Sequence, residues 1–229
     1  MIDHARDLES VQLATERLLT AVGELDNAAV TDQSRLPGWT RGHVLAHLAR
    51  NADALVNVLE GRPMYASAGD RDADIARGAP RPLDVQLADL RASADRFRAA
   101  GAAPADWSRT VELRNGVTDS ASRVPFRRWV EVELHHVDLG IGYELEDLPG
   151  EFKEREIDFL AERFGGHKDV PSTELRTEDG RIRTTGGGAE GGPVAVEGTA
   201  ADLLGWLAGR RDGSGLVVKG GPLPSLPPL

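Results

Sequence analysis

The period of the apolar residues constrains this chain most, because it recurs at three to four positions in four separate stretches ahead of Pro149. Leu8, Val11, Leu18, Val22 and Leu25 form the stripe of a helix that buries one face. A polar loop and the turn Leu36-Pro37-Gly38 follow. Thr40 is placed to cap a second helix running to about Glu60, ended by Gly61 and Pro63. Residues 66–82, rich in Ala, Asp, Arg and Gly, read as a long connection. Leu83, Leu87, Leu90, Ala94 and Phe97 mark a third helix that stops near Gly101. The stretch 105–121 is loop-like, with Asn115-Gly116 as a turn, and Pro125 suits the first turn of a fourth helix reaching about Gly142. Four amphipathic helices joined by short and long connections predict a four-helix bundle with crossovers over residues 1–150.

Past Pro149-Gly150 the texture changes. Residues 151–164 read as a helix, and Thr173–Thr184 as two short strands around a turn at Asp179-Gly180. Val194–Glu197 reads as a strand, Thr199 caps a helix through Gly209, and Leu216–Lys219 is a last strand before a Pro-rich tail. A small α/β domain over 151–229 fits, so the fold class is α+β. Gly186-Gly187-Gly188 and Gly191-Gly192-Pro193 frame what reads as a plain flexible loop. It lacks the Lys-Ser/Thr ending of a phosphate loop and leads into a strand, whereas a nucleotide site needs a helix N-terminus.

Composition excludes several partners. The chain carries 27 basic and 37 acidic residues, a net charge of −10, which repels a phosphate backbone; no nucleic acid is expected. No apolar run approaches the roughly 20 residues of a membrane span, and the charged start Met1–Asp7 has no signal-peptide character. A cytoplasmic location is expected. Cysteine is absent, so any metal must be held by His and carboxylates, and any thiol must come from outside.

Six histidines are present, and four fall in two pairs: His43 with His47 on the second helix, His135 with His136 on the fourth. Imidazole and carboxylate are the ligands zinc accepts when thiolates are missing. Residues four apart share a helix face, so His43 with His47, or Glu131 with His135, could each grip one ion. His47 lies near the edge of the stripe Val44, Leu48, Ala52, Leu55, Leu59, and His43 further toward the polar side. On the fourth helix Glu131 and His135 flank the stripe of Phe126, Val130, Leu134 and Val137 on one side, with Asp138 and Arg128. Glu133 and His136 flank it on the other, beside Trp129. Spacing leaves Glu131/His135 and Glu133/His136 as alternatives, and Asp138 reads as a surface or hydrogen-bonding residue.

Four runs carry a resemblance: Leu36–Ala52 with its Trp39-x-x-x-His43-x-x-x-His47 core, Pro63-Met64-Tyr65, Val130–Gly140, and Ala208-Gly209-Arg210-Arg211. In order and separation they resemble the mycothiol-dependent maleylpyruvate isomerase family, a branch of the DinB-like proteins, over nearly the whole chain. The resemblance implies a DinB-like N-terminal four-helix bundle, a small C-terminal α/β domain contributing to the active-site cleft, and one zinc ion on His47, Glu131 and His135. It also implies that Arg210 serves the active site, where a guanidinium suits a substrate carboxylate; Arg211 and Arg128 are alternatives. Glu133 stands where the family pattern has Trp, His136 where it has a small residue, and the loop after Gly101 is distinct. The implied activity is isomerisation by addition and elimination of mycothiol, or another low-molecular-weight thiol, on a small anionic electrophile. The alternatives are a thiol S-transferase and a non-catalytic metal or small-molecule binding module.

Overall fold

The computed structural model describes residues 3–67, 69–103, 105–188 and 192–228, so Gly191 of the Gly-rich loop lies outside the described residues. The chain divides into two compact units, Met1–Tyr143 and Glu144–Leu229. That boundary falls a few residues before Pro149-Gly150, which instead opens a helix of the second unit.

Among the described residues the first unit holds five α-helices: α1 (His4–Gly23), α2 (Arg41–Leu59), α3 (Asp70–Gly78), α4 (Leu83–Ala102) and α5 (Val124–Asp138). α1 packs on α4 and α5, and α2 packs on the same two. The four long helices therefore form a ring in which α1 and α2 are diagonal, and the chain crosses the bundle between them. Leu18, Leu48, Leu55, Phe97, Val132 and Val137 fill the centre, each almost wholly buried; each contributes about 1.5–3 kcal/mol by leaving water. Local capping sets two of the helix ends. The Asp3 carboxylate accepts from the Arg6 N–H at 3.1 Å to start α1, and Gly140, at φ +64°, stops α5 short of the expected Gly142.

Two segments read as connections contain structure. Within 66–82 lies α3, whose first turn carries Asp70 and Asp72, whose last carries Arg77, and whose buried Ile75 seats it on α2. Its charges suit the helix dipole, but one apolar contact in nine residues leaves almost no periodic signal. Within 105–121 a short hairpin pairs β1 (Thr110–Glu112) with β2 (Thr118–Ser120). Asn115 (φ +60°) and Gly116 (φ +71°) turn it, the left-handed pair expected of Asn-Gly.

The second unit places α6 (Gly150–Phe164) and α7 (Ala200–Leu207) against each other and against a mixed sheet, order β4-β3-β5-β6. β3 (Thr173–Thr177) runs antiparallel to β4 (Ile182–Thr185) and parallel to β5 (Val194–Gly198), and β6 (Val217–Lys219) closes the edge antiparallel. The α+β class is thus observed. Gly186 is not in a merely flexible loop: its N–H donates to Phe164 O at 3.2 Å. A Cβ there would sit 2.1 Å from Pro171 O, so the glycine is required by close backbone approach.

Candidate metal centre and the cavity beside it

α2 and α5 are neighbours in the ring, and the edges of their apolar stripes meet where His47 faces Glu131 and His135. His47 is buried, while Glu131 and His135 are partly exposed. The His47 Nε2 lies 2.9 Å from Glu131 Oε2, and the His135 Nε2 lies 3.2 Å from the same oxygen. The two imidazoles stand edge to face with centroids 4.6 Å apart. One ligand atom from each residue lies within 4.8 Å of the others.

The donor set fits a divalent cation. Ligand atoms around tetrahedral zinc, at bonds of about 2.0–2.1 Å, are about 3.3 Å apart, close to the two separations found. Behind His135, Nδ1 meets Asp138 Oδ2 at 2.8 Å, and Asp138 is fully buried. A neutral His135 ring that donates Nδ1–H to that carboxylate would present its Nε2 lone pair toward the Glu131 oxygen. In that state the two acceptors 3.2 Å apart would be bridged by a bound cation, as a proton on Nε2 bridges them without one. Asp138 is therefore a hydrogen-bonding residue and not a surface one.

Electrostatics prepare the same set. Burial lowers the His47 pKa, outweighing the Glu131 carboxylate that raises it. Burial pulls His135 down too, but its hydrogen bonds to Asp138 and Glu131 prevail and raise it. Burial pushes the Glu131 carboxyl up, yet the hydrogen bonds from His135 and His47 hold it well below the usual carboxylate range. A charged carboxylate and a neutral imidazole thus face each other across the centre.

The alternatives left by spacing part here. His43 serves the start of α2, its Nδ1 accepting the Thr40 N–H at 3.2 Å. Glu133 lies on another side of α5 and accepts from Arg17 Nη2 (2.7 Å), Trp129 Nε1 (3.0 Å) and the Tyr143 hydroxyl (2.8 Å). His136 stacks on Tyr143 with centroids 4.1 Å apart, and burial pulls its pKa down to about 4. Glu133 and His136 thus form a packed polar cluster, separate from the three convergent side chains.

The arginines also separate. Arg128 is buried and donates through Nη1 to Leu48 O (2.9 Å) and Asn51 Oδ1 (2.8 Å); burial lowers its pKa to about 10 despite Glu131 and Asp53. That guanidinium is spent inside the bundle, so Arg128 is corrected from a candidate anion site to a structural tie between α5 and α2. In the second unit Arg211 pairs with Glu146 and Asp202, both at 2.6 Å. Arg210 follows the left-handed Gly209 that ends α7, and its Nη1 donates to Ala208 O at 2.7 Å.

Two residues near the centre carried no assigned role in the sequence. Arg71, on α3, brings Nη2 to 3.3 Å from His47 Nδ1. Tyr65 precedes α3, and burial raises its hydroxyl pKa against the pull of Arg71. Both line a cavity of about 670 Å³ whose other wall is the hairpin segment Arg109–Gly116. That wall belongs to the stretch after Gly101 that the sequence sets apart. Glu133 and His136 do not line it.

Comparison with known proteins places these features. Residues 11–140 match the model of the mycothiol maleylpyruvate isomerase N-terminal domain, and residues 147–228 match that of the C-terminal domain of the same proteins. A crystal structure of the mycothiol-dependent maleylpyruvate isomerase superposes with a TM-score of 0.89 and 27% identity, covering 99% of this chain and 97% of that one. The crystal structure of a histidine-to-alanine mutant of that isomerase gives the same values. A comparison with curated proteins finds no match.

Proposed function

Because the chain belongs to the mycothiol maleylpyruvate isomerase family, we propose that it is a zinc-dependent enzyme that uses a small thiol, such as mycothiol, to isomerise an activated double bond. The observation that carries this reading is the convergence of His47, Glu131 and His135, one ligand atom from each within 4.8 Å of the others. Three protein ligands are the number found at catalytic zinc sites, which keep a further position for a reactant. A metal held there would favour the thiolate form of a thiol bound beside it.

The protein's own part is to hold the ligands and the substrate. Asp138 fixes the His135 ring through its Nδ1, and the buried surroundings of His47 keep that imidazole neutral and able to ligate. The thiolate adds to one alkene carbon, and the electron pair moves onto the conjugated carbonyl as an enolate. The former double bond rotates as a single bond. Collapse of the enolate then expels the thiolate and leaves the trans alkene, so the thiol is regenerated. Arg210 is the proposed contact to a carboxylate or to the enolate. No helix among the described residues is long and apolar enough to cross a membrane, in keeping with a small-molecule enzyme.

The test is turnover of maleylpyruvate by the zinc-loaded protein with and without mycothiol. Isomerisation that needs the thiol without consuming it is the expected result. Stoichiometric loss of the thiol would make the protein an S-transferase, and turnover in thiol-free buffer would point to hydrolysis by metal-activated water. Retained zinc without turnover on a panel of electrophiles would leave a binding module.

A further inference from the structure

We infer that Arg71, with Arg114 lining the same cavity, forms the subsite that holds a carboxylate of the electrophile beside the metal centre. This rests on the proposed reading for its metal and its reaction; the anion site itself stands on the residues of the cavity.

In a chain of net charge −10, the cavity wall carries four arginines, Arg62, Arg71, Arg109 and Arg114, against one carboxylate, Glu112. Such a concentration of one sign in a concave site focuses a field that attracts anions. Two of the four are committed to the fold. Arg109 Nη2 donates to Val58 O and Leu59 O, the carbonyls at the end of α2. Arg62 is held by Asn57 Oδ1 and Glu60.

Arg71 is placed differently. Its side chain is 17% exposed, and among the described residues its carboxylate partner is its chain neighbour Asp72, itself 67% exposed, a pairing worth little in water. It also hydrogen-bonds the Tyr65 hydroxyl on the same cavity wall, and it makes a long contact to His47 Nδ1, 3.3 Å from Nη2. A guanidinium can only donate, so that contact needs a bare Nδ1. Ligation through Nε2 puts the ring proton on Nδ1, and the two N–H groups then oppose each other. A metal on His47 therefore favours an Arg71 turned from the ring toward the cavity. Arg114 sits exposed in the hairpin turn and lines the same cavity. A carboxylate held by Arg71 would lie next to His47 and so beside the centre where the thiolate would attack, which is the positioning that raises effective concentration.

The experiment uses the full-length, zinc-loaded protein and malonate as probe, with neutral malonamide as control, followed by titration calorimetry. Wild type is expected to bind malonate and not malonamide. Arg71→Gln should weaken malonate about ten- to a hundredfold, Arg71→Lys less, and Arg114→Gln by a smaller factor. Zinc affinity, measured by chelator competition, should in Arg71→Gln be at least that of wild type, since a cation beside the metal is removed. Equal malonate binding by wild type and Arg71→Gln overturns the subsite. So does a loss of zinc in Arg71→Gln, which would make Arg71 a support for His47. Wild type that binds malonate but takes up no zinc overturns the proposed function and leaves the anion site standing.

Discussion

Removing the carboxylate behind His135 tests the metal centre without touching a ligand. Asp138 is fully buried, and its Oδ2 lies 2.8 Å from His135 Nδ1. Asp138→Ala leaves that N–H without its acceptor and frees the ring to turn or to change tautomer. Loss of such an outer partner weakens metal binding about 10- to 100-fold, which is about 1.4–2.8 kcal/mol at 1.4 kcal/mol per decade. A smaller effect opposes it: without the carboxylate the raised His135 pKa falls, so protons compete less well for Nε2. Working well above the ordinary imidazole pKa removes this second effect. Asp138→Asn keeps an acceptor oxygen in place while losing the charge, so its loss should be about tenfold or less. The assay is competition for zinc with a chromophoric chelator, with circular dichroism of each metal-free variant confirming the fold. The metal-free Asp138→Ala protein should also lose about 1.5–3 kcal/mol of stability, the worth of a charge-assisted hydrogen bond. A folded Asp138→Ala variant that binds zinc as tightly as wild type would refute the reasoning.

The other expectations concern side chains that the structure separates. His47→Ala, Glu131→Ala and His135→Ala should each fall well below one zinc per chain by elemental analysis, while His43→Ala stays near wild type. Glu133→Ala, which strands the donors of Arg17, Trp129 and Tyr143, should lose about 3 kcal/mol in urea unfolding and keep its zinc. Arg128→Ala removes the donor to Leu48 O and Asn51 Oδ1 and leaves a hole; a loss of about 3–5 kcal/mol with unchanged zinc stoichiometry is expected. Arg210→Lys should lower kcat/KM about ten- to a hundredfold with Tm near wild type, and unchanged kcat/KM would reduce Arg210 to its bond with Ala208 O.

The sequence by itself determined the elements with a long period or a sharp local signal. The stripes of α1, α2, α4 and α5, the Asn115-Gly116 turn and the strands around Asp179-Gly180 depend on neighbours in the chain, so they are legible there. The missing cysteines restricted the ligands to imidazole and carboxylate before any fold was known. The choice between the two Glu-x-x-x-His-like flanks of α5 was not legible from spacing, because a helix offers both flanks equally. Only the family resemblance favoured one of them in the sequence, and in the tertiary structure the packing of α2 against α5 puts His47 opposite Glu131 and His135. Packing likewise buried Asp138 behind His135, turned Glu133 toward Arg17 and Tyr143, and spent Arg128 on the backbone of α2. Arg71 shows the limit most clearly. It lies 24 positions from His47, on a nine-residue helix with one buried apolar side chain among its charges. Nothing periodic marks it, and only the docking of α3 on α2 gives that guanidinium a place beside the centre.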